Sequence, residues 1–197
     1  MQYCSFVVGF IVYHNGFDRT EIVMKQLILG GARSGKSQLA ETLTATFGAK
    51  IAYIATTDTQ YNDAEMDKRI ALHRKQRPND WCTFEEPIEL AKAIQDHQHH
   101  DAIMVDCLTL WLSNCLMKDE TFWQAQKHEL LVTLSQTDTP IIFVSNEVGM
   151  GVVPMGKISR QFVDESGYLH QDLAKLCERV VFMAAGLPLV MKGPALP

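Results

Sequence analysis

Between Leu27 and Ser37 the chain reads LILGGARSGKS, an apolar run followed by a loop of the form G-x-x-x-x-G-K-S. The pattern carries a mechanism. An apolar strand delivers the backbone to a loop whose glycines let it curl, so that its N–H groups converge on phosphate. A helix starting near Lys36 adds the positive end of its dipole. The Lys36 ammonium reaches the outer phosphates, and the Ser37 hydroxyl is placed to ligate Mg2+. Gly30, Gly31, Ala32, Arg33, Ser34, Gly35, Lys36 and Ser37 are therefore candidate nucleotide-binding residues, and the expected ligand is a nucleoside triphosphate.

Outward from this loop, apolar strands alternate with helices. Strands are expected at Lys25–Gly30, Lys50–Thr56, Trp81–Phe84, Ala102–Asp106, Ile141–Ser145, Arg179–Ala184 and Leu189–Lys192. Helices are expected at Lys36–Phe47, Ala64–Gln76, Ile88–His97, Leu108–Met117, Phe122–Ser135 and Lys157–Leu176, the last with Ile158, Phe162, Leu169, Leu173 and Leu176 on or near one face. Such alternation predicts an α/β fold with a mostly parallel sheet covered by helices on both faces. In that architecture ligands gather at the carboxyl ends of the strands. Asp106 ends an apolar strand, where the carboxylate that supports a phosphate-bound Mg2+ belongs, so Ser37 and Asp106 form the candidate metal pair.

The totals narrow the class. A chain of 197 residues fits a single domain, expected here over 24–197, with 1–23 as an extension that either precedes a natural start at Met24, forms a poorly packed tail or adds an edge strand. Eighteen Lys and Arg against 23 Asp and Glu give a net charge of −5, which provides no basic field for nucleic acid. The apolar run Phe6–Tyr13 is too short to span a bilayer and lacks signal-peptide flanks, so no membrane insertion is expected. The five cysteines, odd in number and without a C-x-x-C pair, read as reduced and mostly buried thiols of a cytoplasmic protein.

Against this acidic background, MDKRIALHRKQRP (Met66 to Pro78) packs five cations around His73. On a helix, Arg69, His73 and Arg77 share a face, but so do Met66, Ile70 and His73. Pattern alone favours a half-buried histidine with its cations in water. The triphosphate opens another reading. A neutral imidazole can attack the α-phosphorus while arginines hold the leaving pyrophosphate. Elsewhere, SNEVGMGVVP follows a strand and brings Glu147 to the phosphate end of the sheet, either to orient a substrate hydroxyl or to cap loop amides. HQHH (His97 to His100) reads as a solvated helix end rather than a metal site, and Trp111, Phe122 and Trp123 as packing residues.

Six stretches in this order, LILGGARSGKSQLAE, AYIATT, DAEMDKRIALHRKQRPNDW, EEPIEL, DCLTLWLSN and SNEVGMGVVP, resemble the bifunctional adenosylcobinamide kinase/adenosylcobinamide-phosphate guanylyltransferase family of cobalamin biosynthesis. The resemblance runs from Met24 to about Lys192. It implies a P-loop NTPase fold of RecA-like type and two activities on one chain. ATP or GTP phosphorylates adenosylcobinamide, then GTP guanylylates a histidine that passes GMP to adenosylcobinamide phosphate, giving adenosylcobinamide-GDP. The histidine of the family's H-R-x-x-R-P pattern is His73 here. The resemblance extends nucleotide contacts to Ala55, Thr56, Thr57, Arg74, Lys75, Gln76, Arg77, Glu85 and Asp106, the last a glutamate in some members. It also implies Mg2+ and a homotrimer with sites near subunit boundaries. A kinase without the transferase step, or a nucleotide switch, would share the phosphate loop but would not guanylylate itself.

Overall fold

A computed structural model describes residues 24–58 and 81–197. The 1–23 extension and the helix expected over Ala64–Gln76 lie outside the described residues, as do His73, Arg74, Lys75, Gln76 and Arg77. The strands are β1 (Lys25–Gly30), β2 (Ile51–Ala55), β3 (Cys82–Glu85), β4 (Ala102–Asp106), β5 (Ile141–Asn146), β6 (Arg179–Ala184) and β7 (Leu187–Lys192). The helices are α1 (Lys36–Thr44, prolonged by a 3-10 turn over Ala45–Phe47), α2 (Leu90–Asp96), α3 (Leu108–Leu116), α4 (Glu120–Gln136) and α5 (Lys157–Leu176).

All seven strands join one sheet in the order β3-β2-β4-β5-β1-β6-β7. Every pairing is parallel except β6 with β7, a hairpin turned at Ala185 and Gly186, both at positive φ. The expected mostly parallel α/β sheet is therefore present. One strand, β5, separates the phosphate-loop strand β1 from the Asp106 strand β4, which is the RecA-like arrangement.

The central strands are apolar at successive positions because both faces are covered. Leu27, Leu29, Ile103, Val105, Ile141 and Phe143 pack on one side with Leu90, Ile94, Leu108, Trp111, Trp123, Leu130, Leu169 and Leu173 from α2 to α5. Ile28, Met104, Ile142 and Val144 pack on the other with Ala40 and Leu43 of α1. Trp111 and Trp123 are fully buried, with ring centres 5.1 Å apart at an edge-on 68°. Their N–H groups donate to Ile88 O and Glu165 Oε2, both at 2.7 Å, so neither indole is buried at the cost of an unmade bond.

Among the helix boundaries that differ from expectation, two starts have local reasons. Helix α4 starts at Glu120 rather than Phe122 because Asp119 caps it, its carboxylate accepting from Phe122 N at 2.7 Å. Glu86 Oε1 accepts from Ile88 N and Glu89 N, and α2 begins only after that turn. Ile158, expected with the apolar face of α5, is instead 79% exposed. A 20-residue helix runs about 30 Å, and a six-residue strand only about 20 Å, so the first turns of α5 overhang the sheet.

Candidate active site

The phosphate loop leaves β1 at Gly30, whose φ of 150° and close approach to Met183 O exclude any side chain. A Cβ there would also lie 2.8 Å from Ser34 Oγ. Gly30→Ala is expected to cost about 1–3 kcal/mol of stability through backbone strain and to weaken nucleotide binding. Urea unfolding and nucleotide titration would read the two effects. The loop is held from three sides. Glu147 N donates to Gly30 O at 3.0 Å, Gly186 N to Ser34 O at 3.1 Å, and Lys36 Nζ to Gly31 O at 2.6 Å.

Within this frame several groups suit a phosphate. Gly35, left-handed at φ 96°, precedes α1 and offers no side-chain cap, so the first N–H groups of the helix are open to an anion. Ser34 Oγ is buried and has no hydrogen-bond partner among the described residues. Gly31, Ala32 and Arg33 form the exposed rim of the loop, with Arg33 at φ 57°. Lys36 is 7% exposed. Burial lowers its pKa, opposed by the nearby Cys107 and Asp106.

The sheet register places the remaining predicted residues in one row. Glu85 lies beside Ala55, Ala55 beside Asp106, and Gly30 beside Asn146, at the carboxyl ends of β3, β2, β4, β1 and β5. Asp106 Oδ2 accepts from Ser37 Oγ at 3.1 Å and from Tyr53 OH at 2.9 Å. Ser37 and Asp106, the candidate metal pair, are thus in direct contact. Tyr53 was not anticipated, because a tyrosine in an apolar strand reads as core. The signal was its hydroxyl, which needs a partner when buried.

Thr56 and Thr57 follow β2 into this row. Thr56 Oγ1 donates to Cys107 O at 2.7 Å and accepts from Cys107 N at 2.9 Å. Asn114 Nδ2 donates to Thr56 O at 2.9 Å and to Pro87 O at 3.1 Å, so one side chain ties the segments following β2 and β3. Asn146 Nδ2 donates to Thr109 Oγ1 at 3.0 Å. Thr109 and Asn114 both lie in the DCLTLWLSN stretch, but nothing in that stretch tells their joining roles, since each acts between segments distant in the chain.

Glu147 makes the amide-capping bond of its plainer reading, Oε1 accepting from Gly149 N at 2.6 Å. Its Oε2 is 3.8 Å from Nδ1 of His170, whose Nε2 lies 2.7 Å from Ser145 Oγ. Burial lowers the His170 pKa, opposed by Glu147. The thiols of Cys107, Cys115 and Cys177 are buried, and burial pushes them up to about 11, about 12 and about 12, so they are poor nucleophiles at neutral pH. Cys82 is exposed.

Residues 26–191 match the family model described as cobinamide kinase / cobinamide phosphate guanyltransferase. The chain is 50% identical over 175 residues to the bifunctional adenosylcobalamin biosynthesis protein CobP of Pseudomonas aeruginosa, covering 88% of this chain and 100% of that one. It is 34% identical over 184 residues to the bifunctional adenosylcobalamin biosynthesis protein CobU of Escherichia coli, covering 86% and 100%. The same figures hold for CobU of Salmonella typhimurium. With a phosphate loop, a facing carboxylate and a match along nearly all of its described residues, the chain belongs to the cobinamide kinase / cobinamide phosphate guanyltransferase family.

Proposed function

We propose that this chain performs both reactions of its family, on adenosylcobinamide and then on adenosylcobinamide phosphate, and that one phosphate loop serves both. The observation that carries the reading is the phosphate cradle facing Asp106. An unpartnered Ser34 hydroxyl, an uncapped α1 and the Lys36 ammonium converge there, with Ser37 3.1 Å from the carboxylate. In the kinase step ATP or GTP lies along the loop. A hydroxyl oxygen of the corrinoid attacks the γ-phosphorus, the bond from that phosphorus to the β–γ bridging oxygen breaks, ADP or GDP departs, and the hydroxyl proton passes to water. Lys36 and the loop amides hold the charge that builds on the phosphate oxygens.

In the second step neutral His73 attacks the α-phosphorus of GTP. A P–N bond forms, the bond to the β-phosphate breaks, and pyrophosphate departs. A phosphate oxygen of the phosphorylated corrinoid then displaces the imidazole from that phosphorus, giving adenosylcobinamide-GDP and free His73. Arg74, Lys75, Gln76 and Arg77, adjacent in sequence, are assigned to gripping the triphosphate, and Ala55, Thr56, Thr57 and Glu85 to positioning the nucleotide. The donor set fits Mg2+: Ser37 and Asp106, hard oxygens 3.1 Å apart, would hold it directly or through water. When bound, Mg2+ would neutralise phosphate charge and orient the triphosphate.

Incubating the protein with the corrinoid, ATP and GTP should yield first the phosphorylated and then the GDP-linked product by mass spectrometry. Appearance of neither would sink the proposal. We also place the chain in a homotrimer. Support comes from the apolar side chains that follow β5 and open α5: Met150, Val152, Val153, Met155 and Ile158 are each at least 70% exposed. Sedimentation equilibrium should give the mass of three chains, and a monomer at micromolar concentration would contradict this. No described helix is long and apolar enough to cross a membrane.

A further inference from the structure

We propose that His97, His99 and His100 form a binding site for one Zn2+ ion, with ligands drawn from none of the residues assigned to the triphosphate. The three rings follow the last residue of α2 and come before β4. Asp101, the next residue, pairs its backbone N–H with Lys50 O at 2.8 Å, just ahead of β2. The cluster therefore sits toward the amino ends of the parallel strands, whereas Gly30 and Asp106 end theirs.

The geometry suits a single ion. One ligand nitrogen from each ring falls within 4.8 Å of the others. Ring centres are 6.1 Å apart for His97 and His99, 5.4 Å for His97 and His100, and 4.3 Å for His99 and His100. Three imidazoles on a tetrahedral ion at about 2.0–2.1 Å would hold their centres about 5 Å apart. The observed spread brackets that value, and small rotations of the two outer rings would close it.

Two of the rings are already organised. His97 is stacked on Phe84 of β3, with centres 3.6 Å apart and planes at 22°. Its Nδ1 is buried without a hydrogen-bond partner among the described residues, a cost that a metal bond to the ring could offset. His100 Nδ1 lies 3.1 Å from His97 O. A carbonyl only accepts, so this nitrogen carries the proton and Nε2 keeps its lone pair. That is the orientation that backbone carbonyls impose on metal-bound histidines.

His97 and Asp96 border an open cleft of about 390 Å³, which gives an ion and a water ligand a way in. Imidazole ligands suit zinc and its borderline neighbours rather than Mg2+.

The full chain, free of nucleotide, would be titrated with ZnSO4 by calorimetry and with Co2+ by visible absorption. One equivalent of Zn2+ should bind, Co2+ should give a tetrahedral spectrum, and histidine NMR signals should shift for His97, His99 and His100. His99→Gln, at an exposed position, should weaken binding at least about tenfold. His99→Gln combined with His100→Gln should abolish it, while His128→Gln on α4 should leave it unchanged. Failure of the wild-type chain to take up one equivalent would overturn the site, as would equal affinity in the double variant.

Discussion

Lys36→Ala is expected to lower both phosphoryl transfer and histidine guanylylation by at least about 10²–10³-fold, or about 2.7–4 kcal/mol of transition-state stabilisation in each. Lys36 is 7% exposed, and its ammonium donates to a backbone carbonyl, Gly31 O. That neutral acceptor holds the side chain along the loop, and triphosphate oxygens would supply charged acceptors in a setting already stripped of water. The same lysine then contacts the nucleotide whichever phosphorus is attacked. Steady-state assay of corrinoid phosphorylation and single-turnover labelling with GTP carrying its label at the α-phosphate would measure the two losses. A variant that lost kinase activity but kept full guanylylation would show that the two triphosphates bind at separate places.

His73→Ala should divide the reactions instead. The wild-type chain should acquire α-label from GTP, stable in base and released in acid as a phosphoramidate is. The variant should take none, while its corrinoid kinase turnover stays within a few-fold of the wild type. The reasoning is chemical: no other group of the proposed step supplies the nitrogen that forms the P–N bond, so its removal deletes a bond rather than weakening a contact. Label persisting in the variant would assign the nucleophile elsewhere. Equal loss of kinase activity would make His73 part of the shared triphosphate grip.

The fold was legible because its signals were local. GGARSGKS after an apolar strand located the loop, and AIMVD located the carboxylate that Ser37 meets. What the sequence did not reveal depended on distant segments. Tyr53 reaches Asp106 only because β2 lies beside β4. Asn114 becomes a clasp only where the segments after β2 and β3 meet. HQHH read as solvated because nothing in its spacing says that Phe84 will hold one ring and a backbone carbonyl another. Ile158 fitted an apolar stripe, but periodicity does not say where the sheet beneath it stops.

Strand β5 contributes few of the groups assigned to the ligand, yet it sets the gauge of the site. It lies between β1 and β4, paired to both in register along their lengths. Two strand spacings of about 4.8 Å therefore separate the strand that delivers the phosphates from the strand that delivers the carboxylate. That interval is built from backbone hydrogen bonds, so ordinary side-chain substitutions leave it untouched. A change that bulged or shortened β5 would instead shift the two halves of the machinery against each other, and would read in an assay as loss of a catalytic group while every catalytic group remained.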